Sequence, residues 1–444
     1  MVLARSAMCY LLLGVRVFQQ CMRNVLSPLL VFMAKDIDVS ISQKGVLLSA
    51  IAAGYFFTQV PGGALADKMG AKNVITVAMM LSAAAAIAVP TAIESFGVTG
   101  LYWTFMFMGA VQGPLFPCSS VFLARWMPKQ GPDGSDEKAW GTSMLDIGIS
   151  IGSLAIIPLA NSLADALGWR NTYRTVGVAS LGFTAVWHVL AAETPATCWF
   201  ISKDELAFLQ KNIAVPKPVA KAAGSSSGNG LLGMPLGVAL HPGVWAVFVA
   251  HIAFNNGAYY MTNWSPTYYA DVLGVAPAEA KYHLMMPHIA NLAAKSAVPP
   301  LVSLVNKRGV SLLASRKLFT VIGFVLAGLA LLPIHQMRGL NPWVSTALFS
   351  IANTFFGLAP SGFKSNYLDI TESYVGIISG YGNTLGTVAS WAGPQVVAYL
   401  LAHFTWDYCL ASVALINFVA AANYARAAVV HPVEHALGDA KKKE

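Results

Sequence analysis

Twelve runs of mostly apolar residues follow one another along this chain of 444 residues. A helix needs about 20 such residues to cross the hydrocarbon core of a bilayer. We therefore predict an all-α integral membrane protein with twelve transmembrane helices, called spans 1 to 12, and the lipid bilayer as its surroundings. The runs begin near Met8, Lys44, Asn73, Leu101, Trp140, Thr172, Gly243, Tyr282, Lys317, Pro342, Thr371 and Trp406.

The composition excludes several classes of protein. Asp, Glu, Lys and Arg make up 11% of the chain, whereas a soluble domain carries about 25%. The net charge of +8 comes from bases placed between the apolar runs, a pattern typical of membrane orientation and not of nucleic-acid binding. Five cysteines lie in or beside apolar runs without close pairs, so we expect buried hydrophobic side chains and neither disulfides nor a metal site.

A polar break divides the runs into six and six. It predicts a short amphipathic helix followed by a flexible linker at residues 224–230. The predicted organisation is an N-terminal six-helix half (1–192), a linker (193–242), a C-terminal six-helix half (243–430) and a polar tail (431–444).

The distribution of Lys and Arg predicts the orientation. With both termini on one side, 18 of the 28 bases fall on that side, 6 on the other and 4 in spans. The positive-inside rule then places the termini and the linker in the cytoplasm or its equivalent. No signal or transit leader precedes the first run, and an organellar envelope and the plasma membrane both stay open.

The loop between spans 2 and 3 carries the first specific motif. Residues 63–72 read GALADKMGAK, which resembles the G-x-L-A-D-[RK]-x-G-x-[RK] loop of the major facilitator superfamily. The resemblance implies two six-helix halves around a central cavity, and gating roles for Asp67, Lys68 and Lys72. Asp67 is able to cap a helix or pair with bases between the halves.

Further segments resemble the anion:cation symporter family within that superfamily. They are GYFFTQVPGG at 54–63, NNG at 255–257 with WSPTYY at 264–269, and the stretches from Gly362 to Ile370 and from Gly376 to Thr387. Arg316, with the lysine after it, resembles the pair that opens the family's ninth span, and we assign it to gating. Three positions depart from the glutamate-carrying members: Phe105 and Phe254 stand where those have arginines, and Gln112 where they have an acid. These departures argue against glutamate-type substrate binding.

Charges inside a span point to a cavity or a partner, because each costs roughly 2.5–3.5 kcal/mol to insert. Arg23 lies at the place of the family's span-1 arginine. Its planar guanidinium suits an anion because it is able to donate two parallel hydrogen bonds to a carboxylate or phosphate. We assign it to substrate binding; a structural pair with a neighbouring acid is the alternative. Arg16, seven residues earlier, either extends the same positive path or turns toward the membrane interface.

Three more ionisable groups lie well inside spans. Lys295 in span 8 is a candidate for the second-half anion contact, or for a pair with Asp146. Asp146 in span 5 is a candidate for binding a proton or sodium, or for a fixed salt bridge. His288 is a candidate proton gate, or a hydrogen-bonded core residue. Asn255, Asn256 and Asn383 add uncharged polar groups that we assign to substrate binding.

These features predict a secondary active transporter of a small anion, working by alternating access. The resemblance implies symport with sodium or protons as the coupling cation, inorganic phosphate as the commonest cargo, and a monomer. An organic anion, such as a carboxylate or a sugar acid, and a non-transporting membrane sensor are the alternatives. No reactive cluster typical of membrane enzymes occurs, so we expect neither an enzyme nor a cofactor.

Overall fold

The computed structural model describes residues 3–33, 36–37, 41–213, 230–231, 234–275 and 277–434. The described chain is helical almost throughout. Most of the flexible stretch predicted at 224–230 (residues 224–229) and the last part of the predicted tail (residues 435–444) lie outside the described residues.

The helices of the first half cover the six apolar runs predicted there. A 3₁₀ turn, Pro195–Thr197, follows them and precedes the short polar helix expected in the break. The helices are α1 (Ala4–Asn24), α2 (Leu26–Met33), α3 (Ile41–Met69), α4 (Ala71–Gln112), α5 (Leu115–Trp126), α6 (Glu137–Leu190) and α7 (Lys203–Asn212).

Two of these helices each contain parts of two spans, joined at a glycine. Gly97 within α4 has φ 62° and ψ −152°, and Gly168 within α6 has φ 77° and ψ 158°. An L-residue with a side chain rarely adopts such a conformation, so each glycine lets the chain reverse between spans 3 and 4 or 5 and 6 almost without a loop.

The second half repeats the pattern after a short hairpin that the sequence does not predict. In that hairpin β1 (Gly230–Leu231) pairs antiparallel with β2 (Met234–Pro235). The helices are α8 (Leu236–Ala239), α9 (Pro242–Asn263), α10 (Ser265–Asp271), α11 (Pro277–Lys307), α12 (Leu312–Leu331), α13 (Pro342–Asn366), α14 (Val375–His403) and α15 (Trp406–Ala427). A helix therefore lies at each of the twelve predicted positions, and the all-α fold class is confirmed.

In spans 1 and 7 a single residue separates two helices: Val25 lies between α1 and α2, and Trp264 lies between α9 and α10. Both residues keep helical φ and ψ, and their N–H groups donate to the carbonyls of Cys21 and Tyr260, so the helical path continues through them. Pro266, near the start of α10, removes one hydrogen bond at the second position because proline has no N–H.

By length and composition alone, four helical stretches within the described residues are apolar enough to cross a membrane. They are Ala71–Trp126, Glu137–Leu190, Leu312–Leu331 and Trp406–Ala427. The first two hold two predicted spans each, so these stretches account for spans 3 to 6, 9 and 12.

Backbone contacts divide the chain into two compact units. The first unit comprises residues 1–127, 144–215 and 374–380, and the second comprises residues 128–143, 216–373 and 381–444. The second unit thus takes in the loop between spans 4 and 5, and the first takes in the start of α14.

Glycines allow close contact between α6 and α1 in the first unit. A Cβ built on Gly148 would lie 2.6 Å from the carbonyl oxygen of Leu13, and one on Gly152 would lie 2.5 Å from that of Val17. The first part of α6 therefore packs backbone to backbone on α1, as small residues allow in membranes.

Candidate functional site

Arg23 lies in the last turn of α1, two residues before Val25, which separates α1 from α2. Its guanidinium carbon is 4.9 Å from the centre of the Tyr55 ring on α3. Within the described residues the guanidinium makes no ion pair with a carboxylate. A cation–π contact holds the charge in place while its N–H groups stay able to bind an anion.

Arg16 lies two turns before Arg23 and is also inside the first unit. Its side chain is 5% exposed and donates a hydrogen bond of 2.5 Å to Oε1 of Gln19. The guanidinium is within electrostatic range of both Asp146 and Arg23. Arg16 therefore does not turn toward the interface; it adds positive charge beside Arg23 and beside the buried carboxylate of Asp146, which is 4% exposed.

Lys295 and His288 lie on α11 in the second unit, within electrostatic range of each other. Lys295 is 8% exposed. One turn earlier, the side-chain amide of Asn291 donates to the carbonyl of Asn353 on α13 at 2.8 Å. The structure places Lys295 close to the α11–α13 contact, and the substrate role assigned to it stays a prediction.

The predicted asparagines lie where α9 meets α14. A Cβ built on Gly386 would be 2.4 Å from Nδ2 of Asn255, and one on Gly393 would be 2.9 Å from Oδ1 of Asn256. Asn383 lies on α14, one turn before Gly386, and is 8% exposed. Glycines on α14 thus leave room for the amide groups of span 7.

A second cation of this unit has no role in the sequence interpretation. Nζ of Lys364, on α13, lies 4.5 Å from the centre of the Phe254 ring on α9. Next to it, Nδ1 of His251 and the hydroxyl of Tyr367 are 3.0 Å apart, and the ring of Phe363 packs on that of Phe254. The sequence indicates Lys364 only through its charge inside a span. It does not indicate the contact with Phe254, which lies 110 positions away in the chain.

Asp67 caps a helix, which is one of the two roles that its motif allows. Its Oδ1 accepts from the N–H of Gly376 and its Oδ2 from the N–H of Ile377, both at 3.1 Å. These N–H groups belong to the first turn of α14, where a carboxylate is favoured by unsatisfied donors and by the helix dipole. Lys68 is exposed beside it.

Glu193 holds the end of the loop between spans 2 and 3 where α4 begins. Its two carboxylate oxygens accept from the backbone N–H groups of Ala71 and Lys72, at 2.8 and 2.7 Å. Arg125, at the end of α5, also pairs with this carboxylate. The main chain of Lys72 is thus fixed by an acid that the sequence interpretation does not single out.

Arg316 lies in a buried network of four charged side chains in the second unit. Its Nε donates to Oδ2 of Asp369 at 2.9 Å and its Nη1 to Oδ2 of Asp136 at 2.5 Å. Lys138 completes the network with a 3.1 Å bond to Oδ1 of Asp369 and a bond to the carbonyl of Leu368. Side chains of Arg316, Asp136 and Asp369 are at most 1% exposed.

The charges of this network balance, two positive against two negative. Burial by itself raises the pKa of Asp369, but the charges of Lys138 and Arg316, with the hydrogen bonds they donate, outweigh burial and lower this pKa below its usual value. The carboxylate therefore stays ionised at neutral pH. The network joins residues 136–138, before and at the start of α6, to α12 and to the turn after α13.

The described side chains thus supply buried positive charge, amide groups and helix-capping carboxylates inside a polytopic helical fold, which defines a membrane transport protein. A family model described as Major Facilitator Superfamily matches residues 12–394, and the chain belongs to that superfamily. It is a multi-pass membrane protein and a secondary transporter, not an enzyme.

Similar proteins come from plants. Rice "Probable anion transporter 6" is 25% identical over 83% of this chain and 82% of its own length. Arabidopsis "Sodium-dependent phosphate transport protein 1, chloroplastic" is 25% identical over 82% of this chain and 65% of its own length. Arabidopsis "Ascorbate transporter, chloroplastic" is 24% identical over 84% of this chain and 66% of its own length. The chain is thus related to plant anion transporters, and the predicted resemblance is confirmed.

Solved structures share the fold. The proton:xylose symporter XylE aligns with a TM-score of 0.68 and 14% identity, over 97% of this chain and 99% of its own. The human organic anion transporter MFSD10 aligns with a TM-score of 0.66 and 14% identity, over 95% of this chain and 99% of its own.

Proposed function

We propose that this protein carries a small anion across its membrane in symport with sodium or protons, with inorganic phosphate as the cargo, and that it works as a monomer. The observation that carries the proposal is Arg23. Its charge lies inside a span, rests on an aromatic ring and makes no ion pair among the described residues. A guanidinium that no carboxylate of the described residues neutralises is suited to binding an oxyanion bidentately.

For coupling, we propose Asp146 as the group that takes up the cation, with His288 as a second proton-binding group. Asp146 is buried beside Arg16, so arrival of a substrate anion near the arginines changes the balance of charge at the carboxylate. Asp67, Lys68, Lys72 and Arg316 would act at the gate, where Asp67 and Arg316 hold helix ends.

The relatives support phosphate and also one competing cargo. The printed name of one relative specifies sodium-dependent phosphate transport, and that of another specifies ascorbate. An organic anion on the same scaffold is therefore the second candidate.

Uptake into proteoliposomes tests the proposal. Labelled phosphate would be offered under a sodium gradient and, separately, under a proton gradient, with ascorbate and a dicarboxylate in parallel. We expect gradient-driven phosphate uptake by the wild type, at least tenfold lower uptake by Arg23→Ala, and partial recovery in Arg23→Lys, which keeps the charge but not the fork.

Arg174→Ala is the matched control, because Arg174 is exposed and bonds only to Asn171 among the contacts seen. Uptake of the organic anion alone would move the assignment to the second candidate. Anion binding without flux would indicate a sensor, and undiminished uptake by Arg23→Ala would remove Arg23 from the site.

A further inference from the structure

We propose that His335 is a pH-sensitive contact that joins the ends of spans 7, 9 and 12, and that protonation of its imidazole loosens this end of the second unit. His335 lies in the turn formed by residues 332–340, four positions after the end of α12. The proposal does not depend on anion transport, and all the groups that carry it belong to the second unit.

The imidazole of His335 is packed against an aromatic cluster. The residue is 9% exposed, and its ring centre lies 6.1 Å from that of Tyr268 on α10. The Tyr268 hydroxyl donates to the carbonyl of Ile334 at 3.3 Å. The ring of Trp406, at the start of α15, lies 5.1 Å from the Tyr268 ring. Tyr268 of span 7 therefore touches both the turn after span 9 and the start of span 12.

The ring nitrogens of His335 have little polar compensation. Nε2 lies 3.8 Å from Oδ2 of Asp407 on α15, which is longer than a hydrogen bond. Nδ1 is buried and has no hydrogen-bond partner among the described residues, and the same is true of Oδ1 of Asp407. Arg338 donates to the backbone carbonyl of His335, at 2.9 Å, and not to the ring. A protonated imidazole carries two N–H donors, so this packing suits the neutral ring better than the charged one.

The charges around His335 have opposite effects on its protonation. Burial lowers its pKa, Asp407 raises it and Arg338 lowers it, with a net value below 6.5. A histidine of the unfolded chain titrates near 6.5. The neutral ring therefore contributes its full stability above that pH, and the contribution is lost as pH falls from there toward the lower folded pKa. Gln336 and Arg338 are exposed, so protons reach the turn from water.

A second histidine contacts the same cluster but is held differently. Nδ1 of His283, on α11, and the hydroxyl of Thr346 are 2.7 Å apart. The His283 ring also stacks on Tyr269, with 5.3 Å between ring centres. Because His283 has a hydrogen-bond partner for Nδ1 and His335 has none among the described residues, the pH-sensitive role is assigned to His335.

Hydrogen exchange of the turn tests the proposal. The protection of the backbone N–H groups of residues 332–340 is measured by mass spectrometry on the full chain in detergent, at pH 7.5 and pH 5, and corrected for the intrinsic exchange rate at each pH. His335→Gln and His335→Phe remove the titrating ring, and Asp407→Asn removes the carboxylate beside it. His431→Gln is the matched control, because His431 is an exposed histidine of the same unit.

We expect the wild type and His431→Gln to lose protection of the turn by about fivefold or more between pH 7.5 and pH 5, since each unit between the unfolded and folded pKa corresponds to a factor of ten. The two His335 variants should change by less than about twofold, because they bind no proton there. Asp407→Asn should match the wild type at pH 7.5 and lose more protection at pH 5, since the charged ring then has no opposite charge beside it.

Full protection of the wild type at pH 5 would overturn the proposal, as would equal losses in the wild type and in both His335 variants. Asp407→Asn keeps the imidazole and tests the proposal independently of those two variants. A loss in Asp407→Asn no larger than that of the wild type would contradict the role of the pair. Exchange is measured without transport, so a failure of phosphate uptake would count against the proposed function alone.

Discussion

Basic side chains of the described residues differ in the partners that hold them. Arg316 and Lys138 are bonded to carboxylates that balance them. Arg23 rests on the ring of Tyr55 and makes no ion pair with a carboxylate among the described residues. A carboxylate pair fixes a charge for stability, whereas a ring holds it more weakly and leaves it able to act on another ion. The binding role that we propose for Arg23 rests on this difference.

The pH dependence of stability follows from Asp369. Its pKa is lowered in the folded protein, so its stabilising contribution is complete above the unfolded value of about 3.9 and is lost as pH falls through the folded pKa. We expect Asp369→Asn to lower the Tm in detergent by a constant amount from pH 8 to pH 5. The gap between variant and wild type should narrow only in more acid buffers.

A constant difference in Tm from pH 8 to pH 5 would also show that Asp369 does not bind the coupling proton in this pH range. A gap that changes between pH 6 and pH 8 would mean that the network titrates in the physiological range, contrary to the fully ionised arrangement. The exposed Asp133, whose pKa is lowered by hydrogen bonds from Ser135, provides the control: Asp133→Asn should shift the Tm little at any of these pH values.

At the scale of helices, the contact between α1 and α6 depends on the absence of side chains. We expect Gly152→Ala to lower the Tm and the uptake rate, because its Cβ would come within 2.5 Å of the Val17 carbonyl and 2.9 Å of the Gln20 Cβ. The added methyl would push α1, and Arg23 with it, away from α6. A cost of about 1–3 kcal/mol is typical of such overpacking.

Gly182 is the matched control, since it lies in the same helix and nothing is within 4 Å of a Cβ built there. Gly182→Ala should be neutral or slightly stabilising, because alanine favours helix more than glycine does. Equal effects of the two alanines would contradict the close packing of α1 on α6.

The buried network joins the entrance of α6 to α12 and α13, and its balance of charge predicts a coupled response. Arg316→Gln leaves one excess negative charge and Asp136→Asn leaves one excess positive charge. Removing one partner of a buried pair costs about 3–5 kcal/mol. The double variant leaves Lys138 and Asp369, which still balance, so its loss of Tm should be well below the sum of the two single losses.

This is a double-mutant cycle, measured by thermal unfolding in detergent with uptake as a second readout. An interaction energy of about 0.5–3 kcal/mol is typical of groups in one network. Additive losses would show that Arg316 and Asp136 do not depend on each other. Losses of stability without a change in uptake would restrict the network to folding and withdraw the gating assignment of Arg316.

At the scale of the whole molecule, the helices were predictable from the sequence because the bilayer supplies no hydrogen bonds to an exposed backbone. Long apolar runs must then form helices, and a helix lies at each predicted span, with α4 and α6 each holding parts of two spans. The joins at Gly97 and Gly168 were less evident, because only the φ values show that the chain reverses there.

The side-chain partners were not predictable in the same way. Arg316 bonds to Asp136, 180 positions away, and no local pattern encodes such a distance. The family motif indicated two roles for Asp67, a helix cap or a pair with bases, and the structure shows the cap. Lys364 stands at a variable position of one family segment and Glu193 lies outside the segments, so only the fold brings Lys364 to Phe254 and Glu193 to the start of α4.

The orientation of the chain is the remaining prediction at this scale, and it rests on the excess of bases in the loops on one side. Cysteine labelling with a membrane-impermeant maleimide tests it with a matched pair, Gln130→Cys and Gln336→Cys, which are both exposed and lie in the loops after spans 4 and 9. In cells that express the protein at the plasma membrane, we expect Gln336→Cys to be labelled in intact cells and Gln130→Cys only in inside-out vesicles. The wild type sets a low background, because four native cysteines are buried: Cys9, Cys118, Cys198 and Cys409.

Two outcomes would contradict the predicted orientation. The reverse labelling pattern would invert the topology and place the Asp67 cap and the Arg316 network at the outer gate. Labelling of both variants in intact cells would contradict the predicted number of spans between them.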